Sequence, residues 1–367
     1  MGIKNLNYII EQYSTNGKQT INLSKLANKK LAIDTNVYLY KFLYGKHNHI
    51  DGMFFMINKL KKYNIEPIFI FDGKPPEEKR DTIEQRKQAK LKLKEKIEQL
   101  EERLDTSSDI VEKDIIEQEI SNIEKKIIYV DRDIINSTKE LFNLMGISYV
   151  HSNCEAEQYC SKLCVNGLVD GVITEDMDTI ASGCKNVYRN FSNRTDTITE
   201  YSIDKILFDL DMSYDLFLDL CIILGNDYIP RYRGFTPDDC YQLIKTIGSI
   251  ENIVEKGHLQ MASIEYNRIR SIYRLTGIEL IPEETIKTDI DIDKIKEFLK
   301  TKSTIDEKIF SNRLELIYRP RVEREILLEE SRYRPNYISK KKKKSNGYTI
   351  AKSKSIFFLT ECLIDDC

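Results

Sequence analysis

The sequence predicts an α/β fold in which a mostly parallel central sheet is flanked by helices, and three observations support this prediction. Short apolar runs end in an acidic residue at three places: LAID (31–34), IEPIFIFD (65–72) and VDGVITED (169–176). Helical stretches separate these runs, as in sheets whose parallel strands are joined by crossover helices. Ligands of such sheets bind beyond the carboxyl ends of the strands. We therefore expect the three acidic ends to meet in one crevice.

The composition is that of a globular protein. The chain has 367 residues, of which 41% are hydrophobic and 31% charged, with a formal net charge of −3. This length suffices for one large domain or two ordinary ones. No apolar run approaches the roughly 20 residues of a membrane-spanning helix, and MGIKNLNYII does not resemble a signal peptide. We expect an intracellular protein, nuclear or cytoplasmic, with no membrane partner. The net charge does not exclude a nucleic-acid enzyme, because a carboxylate-rich metal site offsets basic binding surfaces.

Residues 77–128 differ from the rest in being rich in Lys, Glu, Gln and Ile, without Gly or Pro. Apolar residues recur at a 4-3-4 spacing on both sides of the breaker DTSSD (105–109), which predicts an antiparallel helical hairpin. A purely structural coiled coil remains open as an interpretation of its outer part. The recurring residues are Leu93, Ile97, Leu100 and Leu104, followed by Ile116, Ile120, Ile123 and Ile127.

The remaining segments complete the predicted organisation. Helices over 136–145 and 154–165 enclose the strand ISYV, and a compact helical region covers 214–255. The pattern predicts four parts: a core of residues 1–76 and 129–213, a helical insertion of 77–128, a helical module of 214–318, and an irregular basic tail of 319–367.

Seven acidic residues occupy positions that a metal site requires. They lie at the ends of the three strands, at the start of a helix in NCEAEQYC, and in ILGNDYIP. Hard cations such as Mg²⁺ prefer oxygen ligands, and two such ions can activate a water and stabilise the leaving oxygen of a phosphodiester. Each acid alone could equally be a helix cap or a surface charge, but their recurrence at equivalent strand ends indicates a divalent-metal enzyme acting on phosphodiesters or phosphates. The seven are Asp34, Asp72, Glu155, Glu157, Asp176, Asp178 and Asp227.

Several separate motifs resemble those of the flap structure-specific endonucleases of the XPG superfamily. They occur in family order over roughly residues 1–317, and their agreement makes the resemblance specific. The motifs are MGIKNL (1–6), IDTNVYLYKFL (33–43), IFDGKPPEEKR (70–80), LMGISYVHSNCEAEQYC (144–160), TEDMDTIASG (174–183) and DLCIILGNDYIPRYRG (219–234).

This resemblance implies a PIN-like nuclease core, a helical arch at 77–128 and a helix-turn-helix-type duplex-binding module at 214–318. It implies a monomer acting on DNA with 5′ single-stranded flaps or free 5′ ends. The seven acids match the family's ligands for two Mg²⁺ ions, for which Mn²⁺ substitutes. One ion would lie mainly near the first four acids and the other mainly near the last three.

The resemblance also assigns roles to residues outside the acid set. Lys79 and Arg86 match a lysine and an arginine that grip the scissile phosphate, and their spacing of seven places both on one helix face. With Asp34 and Asp176 they are the expected catalytic residues. Tyr40 matches a base-stacking tyrosine, with a core tyrosine as the alternative. Gly2 matches a glycine close to the DNA.

Three features depart from the family. The loop YGKHNHID (44–51) is short where the family forms a pocket for a one-nucleotide 3′ flap. The duplex-binding turn keeps Gly234 but has Thr236 in place of a second glycine, followed by two aspartates that should weaken contact with phosphates. AKSKSIFF (351–358) matches a sliding-clamp-binding box only in its two phenylalanines, and the lysines at 340–354 suit an import signal or a DNA-attracting tail.

Other interpretations remain open at this point. The same fold could serve a 5′ exonuclease, a recombination nuclease or an RNA-degrading enzyme, and IDTNVY also resembles the start of PIN-type ribonucleases. An aspartyl phosphatase using Asp34 would need an acid two residues on, where the chain has Asn36. A non-catalytic junction-binding scaffold would not need the complete acid set.

Overall fold

The computed structural model of the chain describes residues 2–44, 47–229, 234–281 and 290–318. The basic tail and its AKSKSIFF segment therefore lie outside the described residues, as does part of the loop between Asp227 and Gly234. Met1–Arg313 form one compact unit, and Leu314–Cys367 form a second, of which only the last helical turn is described.

A seven-stranded, mostly parallel sheet forms the centre of the fold, as predicted, in the order β1-β7-β6-β5-β2-β3-β4. The strands from β6 to β4 pair in parallel, whereas β7 pairs antiparallel with both β6 and β1. The sequence had indicated β2 to β5 but not the antiparallel edge formed with β1 and β7. The strands are β1 (Lys18–Asn22), β2 (Lys30–Asp34), β3 (Glu66–Phe71), β4 (Ser148–His151), β5 (Gly171–Ile173), β6 (Asn186–Arg189) and β7 (Thr197–Ser202).

The central strands are short apolar runs because both of their faces are covered. In β2 every residue after Lys30 is buried, and in β3 every residue after Glu66 is buried. This pattern is expected of parallel strands between two helical layers. Since β2, β3 and β5 run in the same direction, the residues that follow them emerge at one edge of the sheet.

Helices make up most of the remaining described chain. Their bounds are α1 (Leu6–Tyr13), α2 (Thr35–Leu43), α3 (His49–Lys62), α4 (Arg80–Thr106), α5 (Ile110–Glu124), α6 (Arg132–Met145), α7 (Ala156–Val165), α8 (Asp178–Ala181), α9 (Ile203–Leu210), α10 (Tyr214–Leu224), α11 (Pro237–Ile247), α12 (Ile250–Glu255), α13 (Ser263–Tyr273), α14 (Ile292–Lys302) and α15 (Glu307–Tyr318). None of the helices in the described ranges is both long and apolar enough to cross a bilayer.

The predicted helical hairpin is present as α4 and α5, preceded by a short 3₁₀ helix at Glu77–Lys79. Its interior consists of the residues that the 4-3-4 spacing identified, with Leu100, Ile116 and Ile123 buried between the two helices. The other faces are charged and exposed. The hairpin is therefore held by a narrow apolar seam, which is typical of two helices that pack only on each other.

One apolar core connects the sheet to the helices after residue 214. It includes Ile68 and Val172 from the sheet together with Leu218 and Ile222 from α10 and Ile269 from α13. The division into a nuclease core and a duplex-binding module stays a prediction, since these parts share their packing within one unit.

Candidate active site

The end of β2 positions Asp34 at the start of α2. Asp34 is 2% exposed, and its Oδ1 accepts a hydrogen bond from Val37 N at 3.2 Å, so it caps the helix. Thr174 Oγ1, beyond β5, donates to Asp34 Oδ2 at 3.2 Å. A helix N-terminus favours negative charge. Capping and presentation to a metal are therefore compatible roles of the same carboxylate.

Asp72, directly after β3, holds the helix that carries the next two acids. Its Oδ1 accepts a hydrogen bond from Ala156 N, at the first turn of α7, at 2.8 Å. Glu155 precedes this helix and Glu157 lies within its first turn. The strand end thus fixes the position of the Glu155–Glu157 pair.

Asp176 and Asp178 follow β5 and lie directly against the N-terminal segment. Asp178 N donates to Asp176 Oδ1 at 3.0 Å. Gly2 has a φ of +80°, and a Cβ atom built on it would lie 2.0 Å from Asp176 Oδ1 and 2.6 Å from Asp178 Oδ1. A side chain at position 2 would collide with these acids, which gives Gly2 a requirement for glycine that is independent of DNA.

Lys79 and Arg86 reach the same acids from the base of the arch. Lys79 is 6% exposed, and its Nζ lies 2.7 Å from Glu155 Oε1 and 3.5 Å from both Glu157 Oε1 and Asp227 Oδ2. Arg86 donates through Nη2 to both carboxylate oxygens of Asp227, at 3.0 and 2.8 Å. Thr82 Oγ1 donates to Asp227 O at 2.6 Å. The arch base is therefore anchored on the Asp227 loop.

The electrostatics connect the acids into one cluster. Burial, followed by the charges of Asp72 and Glu157, raises the pKa of Asp34 well above its usual range. Burial and then Asp176 do the same for the pKa of Asp178, while burial raises the pKa of Asp72 and of Asp176. Burial and then Glu157 raise the pKa of Glu155 to about 8. The cluster thus holds more negative charge than its surroundings stabilise.

Lys79 is the buried cation among these acids. Burial alone would lower the pKa of its ammonium group, but Glu157 and Glu155 outweigh this and raise it. Lys79, the exposed Arg86 and the charge of the N-terminus, which acts on Asp176, oppose the negative charge of this acid-rich site. The site therefore has a charge balance that an added divalent cation would improve.

The donor chemistry of the cluster suits Mg²⁺. Glu155 Oε2 and Asp178 Oδ2 are buried oxygens without a hydrogen-bond partner, and such atoms cost free energy unless a cation or donor reaches them. Among the described residues, no three acidic, histidine or cysteine side chains are already gathered closely enough to ligate one ion. Lys79 Nζ lies within 3.5 Å of a carboxylate oxygen of Glu155, Glu157 and Asp227.

Two further residues from the sequence analysis lie outside the acid cluster. Tyr40 on α2 is 40% exposed, so it is not a core tyrosine, and burial followed by the charge of Asp72 raises its pKa. Its ring is accessible, as a base-stacking platform requires. Gly234 has a φ of +91°, and no atom of the described residues lies within 4 Å of a Cβ built on it, which suits a tight turn.

Sequence reasoning missed two positioning residues. Thr174 bonds Asp34 through its hydroxyl and also accepts a hydrogen bond from Asp176 N at 3.1 Å, so it joins two strand ends. Tyr273 on α13 is buried and donates through its hydroxyl to Asp178 Oδ1 at 3.2 Å. Thr174 lies in a quoted motif and could have been identified there, whereas nothing in the local sequence connects Tyr273 with a site 95 residues away.

The two aspartates after Gly234 have structural partners. Asp238 accepts hydrogen bonds from the hydroxyls of Tyr8 (2.9 Å) and Tyr13 (2.7 Å) on α1. Asp239 completes a capping box with Thr236 at the start of α11. Asp238 thus connects α11 to α1, and Asp239 caps the start of α11. The expected weakening of duplex contacts stays a prediction.

Two family models match this chain. The XPG N-terminal domain matches residues 1–93, and the XPG I-region matches residues 146–227. The first segment supplies Asp34, Asp72, Lys79 and Arg86, and the second supplies the other five acids. The α4–α5 tip lies between the two matched segments.

Curated relatives are similar to the chain over most of its length. "Flap endonuclease 1" of Candida tropicalis is 31% identical over 337 residues, which cover 85% of this chain and 87% of the relative. "Flap endonuclease 1" of Debaryomyces hansenii is 34% identical over 273 residues, covering 70% of this chain and 69% of the relative.

Solved structures share the fold. Flap endonuclease-1 from Methanococcus jannaschii is 24% identical with a TM-score of 0.62, covering 84% of this chain and 97% of that one. The catalytic core of Rad2 in complex with DNA substrate is 22% identical with a TM-score of 0.65, covering 86% and 100%. The Holliday junction-resolving enzyme GEN1 with product DNA and Mg²⁺ is 18% identical with a TM-score of 0.55, covering 80% and 72%. The sequence relatives show that this chain belongs to the flap endonuclease family of the XPG superfamily.

Proposed function

We propose that the protein is a Mg²⁺-dependent, structure-specific 5′ flap endonuclease with 5′→3′ exonuclease activity on DNA, serving replication and repair in the nucleus or cytoplasm. The observation that carries this proposal is the set of buried carboxylates at the carboxyl edge of the sheet, three of which, Glu155, Glu157 and Asp227, pair with buried Lys79. Membership of the flap endonuclease family supports it, as do solved structures of the same fold that contain DNA.

The acids would hold two Mg²⁺ ions, for which Mn²⁺ can substitute. Asp34, Asp72, Glu155 and Glu157 would hold mainly one ion, and Asp176, Asp178 and Asp227 mainly the other. Bound metal supplies a nucleophilic hydroxide and stabilises the oxygen that leaves the phosphodiester. Thr174, Tyr273 and the N-terminus of α2 keep the carboxylates oriented.

Lys79 and Arg86 would act on the scissile phosphate. In the structure both are ion-paired with Asp227. With a metal ion held by these carboxylates, the ammonium and guanidinium groups would be available to bind phosphate. Positive groups directed at a transferring phosphate stabilise charge that develops in the transition state.

The surrounding residues would select the substrate. Tyr40 is exposed beside the acids and offers a stacking surface for the nucleobase next to the cut, and Gly2 leaves room for the strand to approach. Gly234 would contact the duplex through its turn. The α4–α5 arch would admit a single strand with a free 5′ end. A sliding clamp is a further partner that we propose only for the tail, which lies outside the described residues.

The test is cleavage of end-labelled 5′-flap DNA, and of matched RNA, in the presence of Mg²⁺. We expect a cut near the base of the DNA flap, loss of cleavage in Asp34→Ala, a strong reduction in Lys79→Ala, and failure on flaps with blocked 5′ ends. Preferred cleavage of RNA would favour a PIN-type ribonuclease. Cutting only from duplex ends, or at recombination junctions, would favour the exonuclease or recombination branch of the same fold.

A further inference from the structure

A group of aromatic and cationic side chains lies at the base of the arch, beyond the residues assigned above. Tyr40 on α2 and Tyr129, after α5, are 40% and 48% exposed. The Nζ atom of Lys90 on α4 lies 4.4 Å from the centroid of the Tyr129 ring and 5.6 Å from that of Tyr40. The Nζ atom of Lys94 lies 5.1 Å from the Tyr129 centroid. Two accessible rings thus flank a positive centre.

The group is held in place by backbone contacts. Lys90 Nζ donates to Ile128 O at 2.7 Å, which fixes the ammonium beside Tyr129. Lys90 Nζ lies close to both rings and so connects Tyr40 with the segment that carries Tyr129. A rigid platform of this kind loses little conformational entropy when a flat ligand stacks on it.

A cavity of about 440 Å³ opens beside Tyr129. This volume falls within the range of roughly 300–1,000 Å³ that is typical of small-ligand sites. Its lining is mostly apolar and also includes the cations Lys94 and Lys125 and the acid Glu124. The apolar residues that line it are Leu43, Ile97, Ile127 and Ile128.

The cations of the cavity continue the row that begins in the active site. Lys79, Arg86, Lys90 and Lys94 are spaced by seven, four and four residues, so they lie along one side of the helical segment. Lys94 lies about 12 Å beyond Arg86 along the α4 axis at the usual rise per residue. Burial and then the charge of Arg86 lower the pKa of Lys90, as expected of clustered positive charges. A polyanionic strand that leaves the active site would meet these cations in order.

We propose that Tyr129 and this cavity form a binding site for one unpaired nucleotide of the 5′ flap, with its base stacked on the Tyr129 ring and its phosphate bound by Lys90 and Lys94. The occupant is a nucleotide because the site combines an accessible ring, a mostly apolar lining and cationic side chains, which together match a base and its phosphate. Only a base that is not paired can enter, so the site would favour single-stranded over duplex DNA. This inference rests on the proposed function and names a position on the strand that the acid cluster does not reach.

The test uses 5′-flap DNA carrying 2-aminopurine at successive flap positions, with the protein in EDTA so that no cutting occurs. Stacking on a tyrosine quenches 2-aminopurine, so we expect a drop in fluorescence at one or two neighbouring positions in the parent protein. Tyr129→Ala should abolish this drop and weaken binding of flaps of several nucleotides about tenfold. It should leave binding of a one-nucleotide flap unchanged, since that flap would end before the cavity.

The controls separate stacking from folding and from catalysis. Tyr129→Phe keeps the ring and should behave like the parent, and Phe208→Ala removes an 83% exposed ring on α9 and should change nothing. Equal loss in Tyr129→Phe and Tyr129→Ala, or equal quenching in all variants, would overturn the nucleotide site while Mg²⁺-dependent cleavage by the parent still supports the proposed function. Absence of flap cleavage by the parent protein would instead overturn the function itself.

Discussion

Two groups of carboxylates in this protein have opposite charge balances. The first is the acid cluster of seven carboxyl groups at the edge of the sheet, in which buried Lys79 pairs with three of them. In the second, Asp219 on α10 is 2% exposed and accepts hydrogen bonds from Nε (2.7 Å) and Nη2 (2.6 Å) of Arg270. Glu251 on α12 accepts from the same guanidinium at 2.5 and 3.0 Å.

The difference lies in how completely the oxygens are satisfied. Asp219 also accepts from Ile250 N at 3.1 Å, so both of its oxygens have donors. The first group leaves Glu155 Oε2 and Asp178 Oδ2 without a donor. Arg270 bonds Glu251 and thereby lowers the pKa of this exposed carboxyl to about 2. Burial raises the pKa of Asp219, although Arg270 opposes this, and burial raises the pKa of Glu155 to about 8. The second group stabilises the fold, and the first is arranged for a cation that comes from outside.

The largest effect that would test this comparison is on stability. Arg270→Ala leaves Asp219 buried without its cation, and removing one partner of a buried pair costs about 3–5 kcal/mol. We expect the free energy of unfolding, measured with urea, to fall by about this amount. Arg274→Ala is the matched control, because its pair with Asp215 is exposed and should cost about 0–1 kcal/mol. Equal losses would mean that burial does not distinguish the two pairs.

The next effect is on catalysis. Lys79→Ala should reduce the cleavage rate on the order of 10²–10³-fold, as is typical when a group that stabilises transition-state charge is removed. The reduction should appear in kcat rather than in KM, measured on labelled flap DNA. Lys87→Ala, an exposed lysine on the same helix, should retain activity. A KM effect alone would assign Lys79 to DNA binding instead.

Mg²⁺ should bind the acid cluster and not the Asp219–Arg270 group, and this binding should raise the free energy of unfolding of the protein. Mg²⁺ at about a hundredfold excess over its Kd should add about 2.7 kcal/mol to the free energy of unfolding. Asp178→Asn removes one of the repelling charges, so it should diminish this gain while leaving the metal-free protein at least as stable as the parent. Asp215→Asn should leave the gain intact. A parent protein insensitive to Mg²⁺ in thermal unfolding would contradict the assignment of the acids as ligands.

The smallest effect is the pH dependence of the metal-free protein. Asp34, Asp72, Glu155, Asp176 and Asp178 all have pKa values raised by folding. A raised carboxyl pKa contributes stability that is present below the unfolded pKa and is lost as the pH rises through the folded one. For Glu155 this window runs from its ordinary value to about 8.

We therefore expect the free energy of unfolding of the metal-free protein, measured by thermal unfolding in EDTA, to fall between pH 5 and pH 8.5. Glu155→Gln should flatten this dependence, and saturating Mg²⁺ should suppress it. The low pKa of Glu251 contributes stability that is lost only below its ordinary pKa, outside this range. Stability that rises from pH 5 to pH 8.5 would contradict the proposed charge imbalance.

Much of the site could be predicted because its ligands follow regular elements. The apolar runs of β2 and β3 require burial on both faces, and their direction places Asp34 and Asp72 at one edge. The 4-3-4 spacing from Leu93 onward similarly determines the α4–α5 seam. These periodicities are local, so they can be read from the amino-acid sequence without knowledge of the tertiary structure.

Other features depend on contacts between distant segments. The edge strand β1 is short and polar, and pairing with β7, which also pairs with β6, stabilises it as a strand. Tyr273 bonds Asp178, and Tyr8 and Tyr13 bond Asp238. These contacts come from the packing of distant segments, which residue spacing in the sequence does not predict.

The sequence by itself determined which residues are acidic at the strand ends, and so the chemistry available to this protein. Only the tertiary structure decided that Lys79 lies among those acids, that Gly2 is pressed against two of them, and that Lys90 stands between Tyr40 and Tyr129. The physical reason is that periodicity fixes the face on which a residue lies, whereas the distance between two side chains far apart in the chain is fixed by how whole elements pack.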